Sequence, residues 1–210
     1  MFRNRHQGGL ISLFYSLTSK PLQIWDQNVD RSKNDDSDDE SEHTQIALIV
    51  DDMVEAPVLE LVSDDIRQTY ISCPAGAQQE LGIRLPILGL MIKNLGRYFT
   101  LEVTVRDTQD HIRSLRLSNF QPAVRTVNNQ AAIPLKWDPD WNQVQLDLNR
   151  LVFDTSGTRY KETLRVTIHA NCRLRRVYFA EQPSNEEGLP PEFRLYAPIA
   201  GATEGHEASD

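Results

Sequence analysis

The sequence predicts an all-β protein, either a β-sandwich or a jelly roll, with one or two short helices. Several runs alternate apolar and polar residues with a period of two, and turn residues separate these runs at short intervals. No stretch after residue 20 shows three turns of amphipathic helix, and no internal repeat is visible. A chain of 210 residues has room for one β-rich domain or two small ones, with a sizeable core.

The runs can be assigned in chain order. The apolar stretch "LISLFYSL" is predicted as a short helix, and "PLQIW", "VLELV" and "TYIS" as short strands. The runs "YFTLEVTV" and "HIRSLRLSN" flank the polar turn "RDTQD" and predict a hairpin. Further strands are predicted at "NQVQLDL", "TLRVTIHA" and "RVYFA", and one helical turn is expected within "LNRLVFDTSG" before Gly157.

The net charge of -8 hides two regions of opposite sign. Residues 30–65 hold thirteen Asp or Glu against Arg31 and Lys33, whereas residues 66–180 hold sixteen Lys or Arg against nine acids. The stretch "KNDDSDDESEH" has no apolar residue, which predicts a disordered acidic insertion at about residues 30–56. We therefore expect a single domain over residues 1–200 and a flexible tail over 201–210. The basic charge of the domain should decide its partners.

Several function classes are disfavoured. No stretch approaches the ~20 apolar residues of a membrane span. Two cysteines, Cys73 and Cys172, are too few for a disulfide scaffold, which favours a reducing compartment. With His111 and His169 they lack paired zinc-ligand spacing, and no phosphate-binding glycine loop is present, so neither a metal nor a cofactor is expected.

A candidate reaction centre lies at His169, Asn171 and Cys172, which fall within four positions. Nucleophilic catalysis needs a thiolate with a base in hydrogen-bond reach. Strand alternation places His169 and Ala170 on opposite faces of the strand. If the strand continues, Cys172 points into the core on the same face as Ala170. We therefore expect a buried thiol and no enzyme.

Two tryptophans, Trp137 and Trp141, flank an acidic proline turn. Exposed and coplanar, they would form a sugar-stacking platform, which makes a carbohydrate-binding module the alternative function. The other interpretation is that they fill the end of the sandwich as core residues.

Arginines are concentrated in "CRLRRVYF", at Arg173, Arg175 and Arg176. A bulge between Arg175 and Arg176 would let all three reach solvent, where with Arg165 they would form a patch suited to carboxylates or phosphates. Protection of a strand edge against aggregation is the competing interpretation. The patch is small and the acidic insertion opposes nucleic acid, so no nucleic-acid partner is expected.

Several stretches resemble the family of the cilia- and flagella-associated protein of the axonemal inner junction, number twenty in its series and also called the basal-body upregulated protein. They are "YSLTSKPLQIWD", "TYISCPA", "LGIRLPILGLMIKNLGRYFTLEV", "DWNQVQLDL", "ETLRVTIHANCRLRRVYF" and "LPPEFRLYAP", and they occur in the same order as in the family.

The resemblance implies a jelly-roll β-sandwich like that of carbohydrate-binding modules, without enzymatic activity. It implies a structural protein of doublet microtubules in the axoneme and basal body of cilia and flagella. Family members sit where the B-tubule joins the A-tubule, beside tubulin and the parkin-coregulated gene product. They support axoneme stability and motility.

Under this resemblance, the four arginines are the candidate contacts to the acidic tubulin surface, and Lys93 and Arg97 are the next candidates. The chain departs from the family between Trp25 and Thr69, where the family has a shorter, basic segment and this chain has a longer, acidic one. Carboxylates facing the lattice would repel tubulin, so we expect the insertion to point away from it.

Overall fold

The computed structural model describes residues 1–29, 44–184, 190 and 194. Within them the chain forms thirteen strands and one helix. The strands are β1 (Leu10–Tyr15), β2 (Asp26–Asn28), β3 (Gln45–Asp51), β4 (Ala56–Val62), β5 (Tyr70–Cys73), β6 (Ile87–Asn94), β7 (Thr100–Asp107), β8 (Ile112–Ser118), β9 (Arg125–Val127), β10 (Gln130–Pro134), β11 (Asp140–Asp147), β12 (Tyr160–His169) and β13 (Cys172–Ala180). Helix α1 (Leu148–Ser156) lies between β11 and β12.

The strands form two sheets that pack on each other, which confirms the predicted all-β sandwich. The six-stranded sheet has the order β11-β6-β13-β4-β3, with β1 also pairing with β13. The seven-stranded sheet has the order β2-β5-β12-β7-β8-β10-β9. Neighbouring strands run antiparallel except β8 and β10, which are parallel.

The core lies between the sheets and is built from the inner faces of most strands, whereas β2 and β9 are exposed throughout. In β7 the apolar positions Val103 and Val105 are buried, and Val103 is paired in register with the buried Val166 of β12. Leu90 of β6, in the other sheet, belongs to the same hydrophobic core cluster as these valines. Burying each such side chain stabilises the fold by roughly 1.5–3 kcal/mol, so period-two alternation is enough to hold the two sheets together.

Some local predictions were confirmed and others were wrong. The hairpin of β7 and β8 forms as expected. The stretch "LISLFYSL" is not a helix, because Leu10–Tyr15 pairs with β13 as β1 and buries Leu13 and Phe14. The stretch "PLQIW" is a turn, in which Trp25 N donates to Leu22 O at 3.0 Å. A short apolar run does not by itself distinguish a strand from a helix.

Helix α1 is longer than the single turn expected, at nine residues. Asp147 caps its start by accepting a hydrogen bond from Arg150 N, and Gly157 ends it in the left-handed conformation at φ 71°. No helix in the described part of the chain is long and apolar enough to cross a membrane.

The expected insertion at 30–56 is wrong in its second half. Residues 45–51 form β3 and residue 56 begins β4, so this part belongs to the six-stranded sheet. A continuous apolar run, "IALIV", is the signal for a strand that the surrounding acidic residues obscured. Residues 30–43 and the tail at 201–210 lie outside the described residues.

Candidate interaction surfaces

The arginine-rich strand β13 contains a bulge, because its register with β6 shifts between Leu174 and Arg176. The bulge does not bring the arginines to solvent. Arg175 and Arg176 are only 7% and 3% exposed, and the side chain of Arg173 is 24% exposed. The expectation of an exposed patch is therefore wrong for Arg175 and Arg176, since both faces of this strand are covered.

Arg173 is held by two carboxylates. Its Nε donates to Glu60 Oε2 at 2.6 Å, and one terminal nitrogen donates to Asp51 Oδ2 at 2.7 Å. Glu60 lies directly opposite Arg173 in the β4–β13 register, so the sheet itself aligns the pair. The guanidinium fork is thus occupied inside the protein.

Asp51 is the centre of this group, which we call the Asp51 cluster: Asp51, Glu60, Lys93, Trp141 and Arg173. The Asp51 side chain is fully buried, and it accepts from Lys93 Nζ at 3.1 Å and from Trp141 Nε1 at 3.1 Å in addition to Arg173. Burial would raise the pKa of Asp51, but the hydrogen bonds from Arg173, Trp141 and Lys93 outweigh it and hold that pKa well below its usual value. The carboxylate is therefore ionised at neutral pH and ties together strands of one sheet.

Arg176 stacks on an aromatic ring. Its guanidinium carbon lies 3.5 Å from the centroid of the Tyr15 ring, and the two residues are paired in the β1–β13 register. This cation–π contact accounts for an arginine at a position that the fold buries.

Arg165 fixes a loop rather than presenting its charge. Its two terminal nitrogens donate to the carbonyl oxygens of Pro74 at 2.8 Å, Gly76 at 2.8 Å and Gln79 at 3.0 Å, and to Ser72 Oγ at 3.1 Å. The loop after β5 is thereby attached to β12. Arg165 is separated from the other three arginines, because β12 and β13 belong to different sheets.

The two remaining candidates are also paired with acids. Lys93 belongs to the Asp51 cluster, and its Nζ also lies 3.0 Å from Asp140 Oδ1. Its side chain is 17% exposed. Arg97 is more accessible, at 44%, and pairs with Asp64. The six candidate residues therefore do not form one surface, and whether any of them binds a partner stays a prediction.

Cys172 and His169 do not form a reaction centre. They do not share one strand, because β12 ends at His169 and β13 begins at Cys172 in the other sheet. Cys172 is buried in the core as expected, and burial raises the pKa of its thiol far above the ordinary value. Burial likewise raises the pKa of Cys73 to about 12, although Arg165 opposes this. Neither residue is a thiolate at neutral pH.

His169 is fixed in its neutral form. Its Nδ1 lies 2.6 Å from Ile66 O and must donate there, since a carbonyl oxygen can only accept. The pKa of His169 is lowered, chiefly by burial and further by the Arg116 cation, although the Ile66 carbonyl and the Glu102 carboxylate oppose this. The ring faces an open polar cleft of about 560 Å³ that Tyr70 and Glu102 also line.

The tryptophans are core residues, so the carbohydrate-binding alternative through Trp137 and Trp141 is wrong. Trp141 is 8% exposed, and its indole N–H donates a hydrogen bond to Asp51 Oδ1. Trp137 is half-buried and packs on Phe99 with ring centroids 4.5 Å apart. A sugar platform needs two exposed coplanar rings, and these rings face the protein interior.

A basic surface that the sequence did not reveal lies beside the N-terminus, and we call it the N-terminal hollow: Arg3, Arg84, Arg106, Lys161, Asp110 and Glu162. It is an open depression of about 410 Å³. Glu162 accepts from Arg3 at 2.7 Å and from Arg106 at 3.2 Å, while Lys161 pairs with Asp110 at 2.6 Å. Its four cations come from four distant parts of the chain, so no local sequence pattern could have shown it.

Arg84 is the cation of this hollow that is available to a partner. It is exposed, and its guanidinium donates to the carbonyl oxygen of Arg3 at 3.3 Å. No carboxylate of the described residues forms a salt bridge with it. The hollow therefore carries one more positive charge than its own acids, including the nearby Glu80, can neutralise.

Sequence comparison shows relatives of nearly the same length. The chain is 41% identical over 201 residues to "Cilia- and flagella-associated protein 20" of Caenorhabditis elegans, covering 96% of this chain and 93% of that protein. It is 42% identical over 199 residues to the proteins of the same name from Chlamydomonas reinhardtii and Paramecium tetraurelia, covering 95% of this chain and 98% of each relative.

Structural comparison adds only a weak similarity. A chain described under "Structural analysis of an exo-beta-agarase" aligns with 84% of this chain and 26% of its own length, at 11% identity and a TM-score of 0.33. No functional argument follows from it. The CFA20 domain, by contrast, matches residues 1–197. This chain therefore belongs to the CFA20-domain family of cilia- and flagella-associated proteins.

Proposed function

We propose that this protein is a non-catalytic structural component of ciliary or flagellar doublet microtubules, and that it acts at the inner junction between the B-tubule and the A-tubule. The observation that carries the ciliary part of the proposal is the CFA20 match over residues 1–197. Relatives named for cilia and flagella, which align over 93% and 98% of their own length, support it. Under this proposal, the protein supports axoneme stability and motility.

The chemistry of the sandwich supports a scaffold. Both thiols are buried with raised pKa values, and His169 is neutral and attached to a backbone carbonyl. The charged side chains of the Asp51 cluster pair with one another within one sheet, and these ion pairs fix the arrangement of its strands. Groups used in this way give rigidity and positioning, which is what a component of a stable lattice requires.

The N-terminal hollow is the proposed contact for the acidic microtubule surface, in place of the β13 arginines. Arg84 and the half-exposed Lys161 and Arg3 present positive charge outward. A surface of this kind steers association with an acidic partner and is screened within roughly 8 Å at physiological salt. Wild-type binding should therefore weaken as the salt concentration rises.

The test is co-sedimentation with taxol-stabilised microtubules at several salt concentrations. We expect Arg84→Glu combined with Lys161→Glu to weaken binding by at least about tenfold, because like charges across an interface cost several kcal/mol. The matched control is Arg125→Glu combined with Lys136→Glu, two other exposed cations elsewhere on the surface. The control should bind like wild type.

Two results would count against the proposal. Failure of the wild-type protein to co-sediment at low salt would contradict microtubule attachment. Equal weakening by the control pair would show that only net charge matters and would remove the hollow as the contact. The inner-junction position and the neighbouring parkin-coregulated gene product need a separate test, in which the tagged protein is located on doublets by cryo-electron tomography.

A further inference from the structure

The outer face of the seven-stranded sheet contains the open polar cleft of about 560 Å³ that the His169 ring faces. Four polar side chains line it as successive register partners across β2, β5, β12 and β7: Asp26, Ser72, Thr167 and Glu102. Tyr70 and His169 are paired with each other in the neighbouring row. We call this site the His169 cleft: Asp26, Tyr70, Ser72, Glu102, Thr167 and His169.

His169 has an unsatisfied acceptor in this cleft. Its Nδ1 hydrogen is donated to Ile66 O, so the neutral ring carries a lone pair on Nε2. His169 is only 7% exposed, and no hydrogen-bond donor in the described ranges reaches Nε2. Glu102 Oε1 lies 3.7 Å from Nε2 and is also an acceptor. Two acceptors therefore face each other without a hydrogen between them, which native structures rarely leave uncompensated.

The rest of the cleft is also richer in acceptors than in donors. The Asp26 carboxylate accepts from Gly76 N–H through Oδ2, and its other oxygen faces no donor among the described residues. Arg165 directs its terminal nitrogens to Ser72 and to the carbonyl oxygens of the loop after β5. Ser72 and Thr167 share one hydrogen bond at 3.0 Å, which leaves a single hydroxyl hydrogen for a ligand. A ligand of this cleft must therefore supply hydrogen-bond donors.

The charges of the cleft favour a cation as the donor. Of the described residues that line it, Asp26 and Glu102 are acidic and Arg165 is the one permanent cation. Arg116 lies outside this lining and reaches Glu102 only through Nε at 3.4 Å, with 46% of its own side chain exposed. An entering cation therefore meets two carboxylates and one cation whose donors are already bonded, so Coulomb attraction supports its binding.

A primary ammonium group fits these constraints. It has three N–H donors and no acceptor. One nitrogen at about 2.9 Å from each acceptor can reach both His169 Nε2 and Glu102 Oε1, because these atoms are 3.7 Å apart. Nε2 has almost no exposed surface, so the Glu102 side chain, which is 33% exposed, has to turn outward as the ammonium enters. The half-buried Tyr70 ring, 5.3 Å from the His169 ring, offers a wall for the cation and its alkyl stem.

We propose that the His169 cleft binds a lysine side chain of a partner protein, with the ammonium held by Glu102 and His169 and the stem on Tyr70. Small-molecule sites usually enclose most of their ligand, whereas this cleft is open. A lysine on a partner is enclosed by the partner's own surface, which a free amine lacks. This contact is separate from the N-terminal hollow and does not rest on microtubule attachment.

The experiment is a nuclear magnetic resonance titration of the isotope-labelled full chain. The probe is a short glycine peptide with one central lysine and blocked ends. Its twin carries acetyl-lysine, which keeps the alkyl stem and removes the charge. We expect the lysine peptide to shift the amide resonances of Tyr70 and Glu102 and the Nε2 resonance of His169. It should bind at least about tenfold more tightly than its twin, because hydrogen bonds to a charged group are the stronger ones.

Variants locate the effect. Glu102→Gln keeps the shape of the side chain and removes its charge, and it should weaken binding of the lysine peptide by at least about tenfold. The matched control is Asp154→Asn, which removes the same charge from α1, outside the cleft, and should bind like wild type. Both variants should keep the wild-type urea midpoint, since both acids are partly exposed. Arg84→Glu with Lys161→Glu, which alters the N-terminal hollow, should also bind the peptide like wild type.

Four outcomes would overturn the proposal. The first is that the lysine peptide causes no saturable shift at Tyr70, Glu102 and His169. The second is equal affinity for both peptides, which would remove the charge argument. The third is equal shifts of the same residues by sorbitol, which would make a hydroxyl-rich molecule the occupant. The fourth is spermidine binding about a hundredfold more tightly than the peptide in wild type but not in Glu102→Gln, which would make a free polyamine the occupant.

Discussion

The outer faces of the two sheets use their charged side chains differently. On the six-stranded sheet, Arg173 and Lys93 are turned inward onto Asp51, whose side chain has no exposed surface. On the seven-stranded sheet and beside it, Arg116 and Lys161 pair with acids while remaining 46% exposed. The first face uses these charges within the fold. The second also has a buried pair, Arg113 with Asp107, but in addition it retains charge that a partner can reach.

The difference shows that a cluster of arginines in a sequence does not by itself define a binding surface. Arg173, Arg175 and Arg176 share one short run, yet one binds two carboxylates and another stacks on Tyr15. Burial of a charge is tolerated where a partner and hydrogen bonds are present. The N-terminal hollow shows the reverse, since its cations are scattered in sequence and meet only in the fold.

The largest expected effect comes from reversing the three arginines of β13. Arg173→Glu places a negative charge beside Asp51 and Glu60, and Arg175→Glu and Arg176→Glu place two more at buried positions of the same strand. Breaking one buried pair costs roughly 3–5 kcal/mol, and native stability is only about 5–15 kcal/mol, so we expect no cooperative unfolding transition. Urea titration followed by tryptophan fluorescence measures this. The matched control, Arg84→Glu with Lys161→Glu, should unfold cooperatively.

Acid should destabilise the protein through two buried carboxylates, Asp51 of the six-stranded sheet and Asp107 of the seven-stranded sheet. The pKa of Asp51 is held low by Arg173, Trp141 and Lys93 against the effect of burial. The pKa of Asp107 is lowered to about 2 by His111 N–H, Arg113 and Thr158, again against burial. A lowered folded-state pKa stabilises the fold above the unfolded pKa, and this stabilisation is lost as pH falls through the folded value.

The urea midpoint should therefore be steady between about pH 7 and 5 and fall below about pH 4. In Asp51→Asn the midpoint should be lower at neutral pH and should change less on acidification. An identical pH profile in wild type and Asp51→Asn would show that Asp51 does not carry this stability.

A smaller effect is expected at Arg165, which acts on one loop. Arg165→Ala removes the donors to Pro74, Gly76 and Gln79, and each unsatisfied carbonyl costs about 1–3 kcal/mol if it stays buried. Because this loop can reach water, we expect a total loss near 2 kcal/mol and faster proteolysis between residues 74 and 79. Arg159→Ala, at an exposed arginine, is the control. Unchanged cleavage of the loop would contradict this role.

The smallest effect is expected at Cys172. Removing its buried sulfur by Cys172→Ala should lower the free energy of unfolding by about 1 kcal/mol, as for a small core deletion. Denaturant titration checks this value. Discovery of a hydrolase or transferase activity that Cys172→Ala abolishes in a folded protein would contradict the non-catalytic proposal.

The sequence was sufficient to predict the sandwich fold, because period-two alternation in β7, β8, β11 and β12 indicates which face of each strand is buried. It was insufficient where both faces are buried, as in β13, or where a short apolar run does not alternate with a period of two, as in β1 and β3. It also could not show that Asp51 reaches Arg173, which is 122 positions away. Contacts at that separation depend on strand order, which local patterns do not specify.

The most direct test of the central claim, that the Arg173 cation is used inside the fold, is a double-mutant cycle between Asp51 and Arg173. The measured quantity is the coupling free energy from urea unfolding of wild type, Asp51→Ala, Arg173→Ala and the double variant at neutral pH. We predict a favourable coupling of about 1.5–3 kcal/mol, because the two groups are 2.7 Å apart in a buried setting. A coupling below about 0.5 kcal/mol, the level of independent sites, would contradict the account and return Arg173 to the candidates for partner contact.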